Sequence, residues 1–442
     1  MESAPRRATR RGGQDGHGEY LTSYAQWLYL SSEELKARGL PKFEIPECAR
    51  YPLEAHAHAN ANATLQWGRS AARRARQYHR PARTLAARSS ETTETTAMAR
   101  ICALDTSPDP VTRDLTRALQ SGHLHLLIGS GASHPAIPLA GDVEATIDAH
   151  LRAGNTAEAD ALLYQLLSSV QSPTNRLVAG TPTADESATL ECYSTLLRTI
   201  ERILLERRST VIGKQALLFT TNYDLFLDVA ALRCESAVVN NGFDRALTID
   251  GAAVYSSRRF LTTTYDTGNF YDYRVERPSI NLVKLHGCLT WQRTGEHIFR
   301  RPAHCDIPAP DADEAVKRAF VERQSIVLPQ ASKFNTTILD RTYYELLRFF
   351  ANTLDKENSL LIAFGFSFRD EHILHVIRRA LTNPTLRILA VAYDHTSRDD
   401  LSTRFAAHNN VVIVSTDDGT PVDFRRFNEL LTKSGPSGSP AS

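Results

Sequence analysis

A series of short apolar runs, most of them closed by glycine or polar residues, constrains this chain more than any other feature. In order they are HLHLLIG, QALLFT, AVVNNG, NLVKLHG, SLLIAFG, LRILAVAY and NVVIVST. They are too short for buried helices and apolar at nearly every position, which is the signature of strands covered on both faces. Helical periodicity lies between several of them, as in VTRDLTRALQSG with Gly122 as its stop, TYYELLRFFANTL and DEHILHVIRRALT. A longer helical block, from DVEATIDAHLRAG through ATLECYSTLLRTIERILLERR, separates the first run from the second. Strands that alternate with helices in this way predict an α/β fold, a parallel sheet with helices on both faces and a helical insertion.

The 442 residues suffice for one large α/β core with additions, and 42% apolar against 23% charged residues is the balance of an ordinary globular protein. A formal charge of +1 argues against a nucleic-acid protein as a whole. Any such contact is confined to the arginine cluster between Arg69 and Arg88, which reads equally as a solvated surface. No two of Cys48, Cys102, Cys192, Cys234, Cys288 and Cys305 stand in CxxC spacing, so neither a structural zinc module nor a disulfide framework is expected. Without a signal-peptide core or a membrane-length apolar stretch, the expected location is the cytoplasm. Residues 1–100 read as a partly disordered extension; Tyr20, Tyr24 and Trp27 fall near one helical face that suits an oligomer or partner contact. HAHA at His56 and His58 reads as surface loop, not as a metal tract. Residues 101–433 form the α/β domain, and 434–442 a flexible tail.

Four strand-end turns carry the chemistry. QALLFTTNYD places Thr221, Asn222 and Asp224 beyond a buried strand, at the edge where open α/β sheets bind ligands. An amide that donates and accepts, next to a carboxylate, suits a sugar and a carbonyl; helix capping explains the same residues equally well. In IGSGAS, Gly129 and Gly131 can take backbone angles closed to other residues and let N–H groups approach an anion, with hydroxyls from Ser130 and Ser133 alongside. KLHG brings His286 to the same edge, and imidazole is the side chain best suited to proton transfer near neutral pH. AFGFSFRD repeats the design with Gly365 and Ser367, while Asp370 and Glu371 complement the dipole of the following helix.

GSGAS, TTNYD, KLHG and GFSFRDEHI, in that order, resemble the sirtuin-like (SIR2) domain, in particular its bacterial branch in anti-phage defence systems. The resemblance runs from about Leu124 to Asp394 and implies a Rossmann-like sheet that binds NAD. It assigns Gly129, Ser130, Gly131 and Ser133 to the pyrophosphate, and Asn222 and Asp224 to the nicotinamide and its ribose, with Thr221 as a further cofactor-binding residue. The catalytic histidine falls on His286, and Gly365 with Ser367 contact the adenosine side. Where protein-deacylating sirtuins carry a four-cysteine zinc module and a PDFR-like stretch, this chain has SHPAIPLAGDVEATI and no cysteine quartet.

These departures favour an NAD+ glycohydrolase over a deacylase, with Asn222, His286 and Asp224 catalytic, NAD as substrate and no metal. A sensor of NAD+ or ADP-ribose, or an enzyme that transfers to an acceptor, are the competing readings. A toxic activity needs restraint, so a homo-oligomer or a HerA-like ATPase partner is expected from the resemblance.

Overall fold

The computed structural model describes residues 99–435, apart from 105–107, 140, 208, 210, 245–252, 268–273 and 327–340. The chain divides into Met1–Thr93 and Glu94–Ser442. The first unit lies outside the described residues, and with it the aromatic helical face, the HAHA tract and the arginine cluster.

The strands are β1 (Arg100–Ala103), β2 (His123–Ile128), β3 (Gln215–Thr220), β4 (Val238–Asn240), β5 (Tyr265–Thr267), β6 (Arg274–Glu276), β7 (Ser279–Lys284), β8 (Trp291–Thr294), β9 (His297–Arg300), β10 (Ser359–Phe364), β11 (Arg387–Val391) and β12 (Val411–Ser415). The helices used below are α1 (Pro108–Ser121), α2 (Gly141–Ala153), α3 (Thr156–Ala179), α4 (Ala184–Glu206), α5 (Phe226–Ala231), α6 (Glu314–Glu322), α7 (Arg341–Leu354), α8 (Glu371–Ala380), α9 (His395–Arg404) and α10 (Phe424–Ser434). Eight strands make one sheet in the order β1-β12-β11-β10-β2-β3-β7-β4, and every pairing in it is parallel. This is the Rossmann-like α/β fold that the apolar runs predict.

Period-two alternation distributes the strand side chains between two cores. Leu124, Leu126 and Ile128 of β2, Ala216 and Leu218 of β3, and Leu360 and Ile362 of β10 face one core, together with residues of α1–α6 and α10. Leu127, Leu217, Phe219, Leu361 and Ala363 face the other, with α7, α8 and Leu401 of α9. Both faces are therefore dry, which is why these strands read as continuous apolar runs and not as alternating ones.

The expectations differ from the structure at several edges. Among the described residues regular structure begins at β1, ahead of the helix read at VTRDLTRALQSG, and β1 extends the sheet by pairing with β12. The boundary drawn at residue 100 falls at the start of that strand. The helix that follows TTNYD is short, Phe226–Ala231. Two antiparallel hairpins, β5–β6 and β8–β9, lie outside the main sheet. The helical insertion α2–α4 is present, and α4 opens with a capping box: Thr183 Oγ1 accepts from Glu186 N at 3.3 Å while the Glu186 carboxylate accepts from Thr183 N at 2.9 Å. Among the described residues no helix is long and apolar enough to cross a membrane.

Candidate functional site

Register places the four motifs in one row. Phe364 pairs with Ile128, Ile128 with Thr220, and Thr220 with Lys284, so β10, β2, β3 and β7 end at the same level. From β2 the chain returns on the β3 side, whereas from β10 it leaves on the β11 side. The reversal of direction between β2 and β10 makes their carboxyl ends the place where a crevice opens.

Glycine brings the two turns at that reversal into backbone contact. Gly129 N donates to Phe364 O at 3.0 Å, and Gly131 N donates to Gly365 O at 2.9 Å. A Cβ on Gly129 would stand 2.4 Å from Gly365 O, and one on Gly365 would stand 2.5 Å from Ala132 N. Neither Gly129 nor Gly131 has a positive φ; that conformation belongs to Gly365, at +63°. Close approach, and not an unusual backbone angle, is thus what requires glycine at 129 and 131, and the amides expected to face an anion bond the opposite turn instead.

Beyond β3 the chain is folded back toward β2 by Thr220. Its Oγ1 donates to Ile128 O at 2.9 Å and accepts from Asn222 N at 3.1 Å. Asn222 is thereby buried, with Nδ2 donating to Gly129 O at 3.0 Å, Ser133 Oγ at 3.2 Å and Tyr193 Oη at 3.4 Å. The carbonyl of Gly129 fixes the amide orientation, because only the NH2 end has hydrogens to give. Asn222 Oδ1 is buried and has no hydrogen-bond partner among the described residues.

Ser133 Oγ donates to Asp224 Oδ2 at 2.7 Å and lies 2.9 Å from Tyr193 Oη. With the Ser133 proton committed to the carboxylate, the Tyr193 hydroxyl is the donor to Ser133. Asp224 Oδ1 accepts from Phe226 N, the first amide of α5, at 3.1 Å, so this residue both holds the entrance of α5 and anchors the hydroxyl pair. Burial pushes the Asp224 carboxyl up, against the pull of Lys284 and of its two donors. Burial works against the charge of Lys284 as well, but Asp228, Cys288 and Asp224 outweigh it and hold the amine above its ordinary range. Lys284 Nζ pairs with Asp228 at 2.7 Å and donates to the Asp224 carbonyl. A buried cation therefore stands under the loop that carries Asn222.

Tyr193 comes from α4 in the helical insertion and is held by Phe424 of α10, edge to face at 4.9 Å, and by Phe226 at 6.2 Å. Burial and the nearby Asp224 push its hydroxyl well above the usual phenol range. Sequence reasoning missed it, since in ATLECYSTLL a site tyrosine and a core tyrosine look alike.

His286 leaves β7 at the other end of the row. Gly287 follows at φ +84°, where a Cβ would meet Ser325 O at 2.5 Å, so KLHG needs its glycine to turn. His286 Nε2 lies 3.2 Å from Asp370 Oδ2 and 3.0 Å from His372 Nε2. Asp370 stands at the N-cap of α8 without a side-chain capping bond; its other oxygen holds His372 Nδ1 at 2.5 Å. Asp370, read from sequence as a dipole partner, thus bridges two imidazoles, and one atom from each of His286, Asp370 and His372 falls within 4.8 Å of the others, the spacing of a metal-ligand set. His372 escaped sequence reasoning because Asp-x-His is a weak signal 84 residues beyond its partner. Ser130 and Ser367 are exposed at the rim, Ser367 Oγ accepting from Arg369 N at 3.4 Å. Thr221 is half-buried, its amide 3.4 Å from Ile128 O.

A doubly wound parallel sheet with polar side chains gathered at its carboxyl edge is the arrangement in which open α/β sheets bind ligands. More particularly, residues 216–413 match the SIR2-like domain. The match takes in TTNYD, KLHG and GFSFRDEH and leaves out the glycine turn at 129–133. Among solved structures, the crystal structure of a SIR2 homolog–NAD complex is similar at 14% identity, over 74% of this chain and 95% of that one, with a TM-score of 0.34. No curated protein matches the chain.

Proposed function

We propose that the protein is an NAD+ glycohydrolase that releases nicotinamide and leaves ADP-ribose. The observation that carries this reading is the orphaned acceptor of Asn222: a buried carbonyl oxygen without a donor costs about 1–3 kcal/mol, a cost that a ligand donor at the sheet edge offsets. The carboxamide of nicotinamide, or the attacking water, supplies such a donor. The SIR2-like segment and the NAD bound to a SIR2 homolog support the choice of ligand.

In this reaction the bond between nicotinamide and ribose breaks with positive charge developing on the ribosyl carbon, and water captures that carbon. Asn222 orients the leaving carboxamide or the water. Asp224 holds Ser133 and the α5 terminus in place and contributes negative charge to the same side. His286 takes a proton from the ribose or the water, and Asp370 and His372 receive the hydrogen of its Nε2. The glycine turns, with Ser130, Ser133, Thr221, Gly365 and Ser367, form the remaining wall for the pyrophosphate and adenosine.

Depletion of NAD+ in a phage-infected cell is the biological role this activity fits, in the cytoplasm and under restraint by self-assembly or by a HerA-like ATPase. Incubation of the full-length protein with NAD+ and chromatography of the products tests it. Free nicotinamide and ADP-ribose in equal amounts are expected. Binding without turnover would make the protein a sensor, and release that requires an added acceptor would make it a transferase.

A further inference from the structure

We propose that His286, Asp370 and His372 form a site for one divalent transition-metal ion of the zinc and cobalt class. Its ligands come from the end of β7 and from the entrance of α8, two segments that the register row brings to the same edge. His286 Nε2 is 3.0 Å from His372 Nε2 and 3.2 Å from Asp370 Oδ2. An ion that holds nitrogen and oxygen at about 2.0–2.1 Å in a tetrahedral arrangement sets neighbouring donors roughly 3.3 Å apart. Both separations lie within a few tenths of an ångström of that edge.

The outer bonding fits as well. Asp370 Oδ1 lies 2.5 Å from His372 Nδ1, and Nε2 of that ring faces His286. Both imidazoles are buried, and the carboxylate between them supplies the charge that a cation requires in such a place. Two imidazoles and one carboxylate suit a transition ion better than calcium or magnesium, which prefer oxygen, and they leave one coordination position open. Two imidazoles that merely share a proton are the competing arrangement, which the experiment below separates from this one.

The consequence for activity rests on the proposed role of His286. An ion on Nε2 takes the nitrogen through which that side chain passes its hydrogen to Asp370 and His372, so bound metal inhibits nicotinamide release and a chelator restores it.

The test is titration of the full-length, chelator-treated protein with Co2+ in the absence of NAD+. Visible absorption of low-symmetry cobalt is expected, with one more equivalent bound by the wild type than by His372→Ala or Asp370→Asn, and displacement by Zn2+. Loss of a ligand is expected to weaken this site by more than the roughly 10–100-fold that removal of an outer partner of a metal ligand costs. His372→Gln, nearer in volume, serves if circular dichroism finds His372→Ala unfolded. Identical cobalt spectra and stoichiometry in the wild type and folded variants would overturn the site. Because this measurement needs no turnover, it stands or falls separately from the glycohydrolase reading; intact binding with zinc-insensitive NAD+ hydrolysis would overturn only the inhibition.

Discussion

The two polar clusters at the sheet edge are built on opposite principles. The Asn222 amide has two hydroxyls and a backbone carbonyl as partners, with donation ending on one buried carboxylate. Around His286 stand a carboxylate and a second imidazole. A knot of hydroxyls and an amide anchored on one carboxylate has a single acidic group to protonate, whereas a cluster of imidazoles and a carboxylate has several groups that a proton or a cation can engage. The difference assigns orientation to the first cluster and response to the second.

The sharpest break of this comparison removes one member from each. Asn222→Ala and His286→Ala are both expected to lower the rate of nicotinamide release by about 10²–10⁴-fold, with the fold retained in each. Calorimetry with NAD+ separates them: binding survives in His286→Ala, since the wall formed by the glycine turns is untouched. An unchanged rate in either folded variant would remove that residue from the chemistry.

Next in size is the support beneath both clusters. Gly365→Ala puts a Cβ at a positive φ and 2.5 Å from Ala132 N, and is expected to cost about 2–4 kcal/mol by chemical denaturation. Gly154→Ala, at φ +79° with nothing within 4 Å, carries the backbone strain alone and is expected to cost about 1 kcal/mol. Equal losses would mean that the contact of the β2 and β10 turns adds nothing.

Acid provides the third test, and a control is needed for it. His125 on β2 is buried, and desolvation, followed by the charges of His123 and Lys356, pushes its ring down to about 3. Because the unfolded chain takes the proton first, stability is full above about pH 6.5 and falls toward pH 3 by about 1.4 kcal/mol per unit. Denaturation of wild type and His125→Leu across this range checks the slope, which the variant is expected to flatten. Loss of activity in the folded variant above pH 5 is then a change at the site and not a loss of fold.

The smallest expected effect is that of Tyr193→Phe, which removes one donor from the Asn222 knot at about 1 kcal/mol of stability. A larger loss of activity than of stability would show that the tyrosine positions Asn222.

The sheet was legible because strands buried on both faces cannot hide their apolar character, and the four turns because glycine, histidine and amide residues interrupt those runs abruptly. Short edges were not: RICA at β1 is a strand only because β12 offers it a partner. Asn222, Asp224 and His286 could be chosen from sequence since each follows a strand directly. Tyr193 and His372 could not, for each sits within a helical pattern and gains its role from a residue 29 or 86 positions away. Glycine at 129 and 131 was noticed for one physical reason and is required for another.

The sheet order also sets the smallest piece of this chain that can exist alone. The recognisable segment, 216–413, begins after β2, yet β2 lies between β10 and β3 and is the seam that joins the two halves. Cut out at those limits, the segment would consist of two half-sheets with unpaired edges facing each other, and Asn222 would lose Gly129, Ser133 and Tyr193 together. What is easiest to detect by likeness is therefore not an independent folding unit, and an expression fragment has to begin upstream of His123 if it is to keep its own centre.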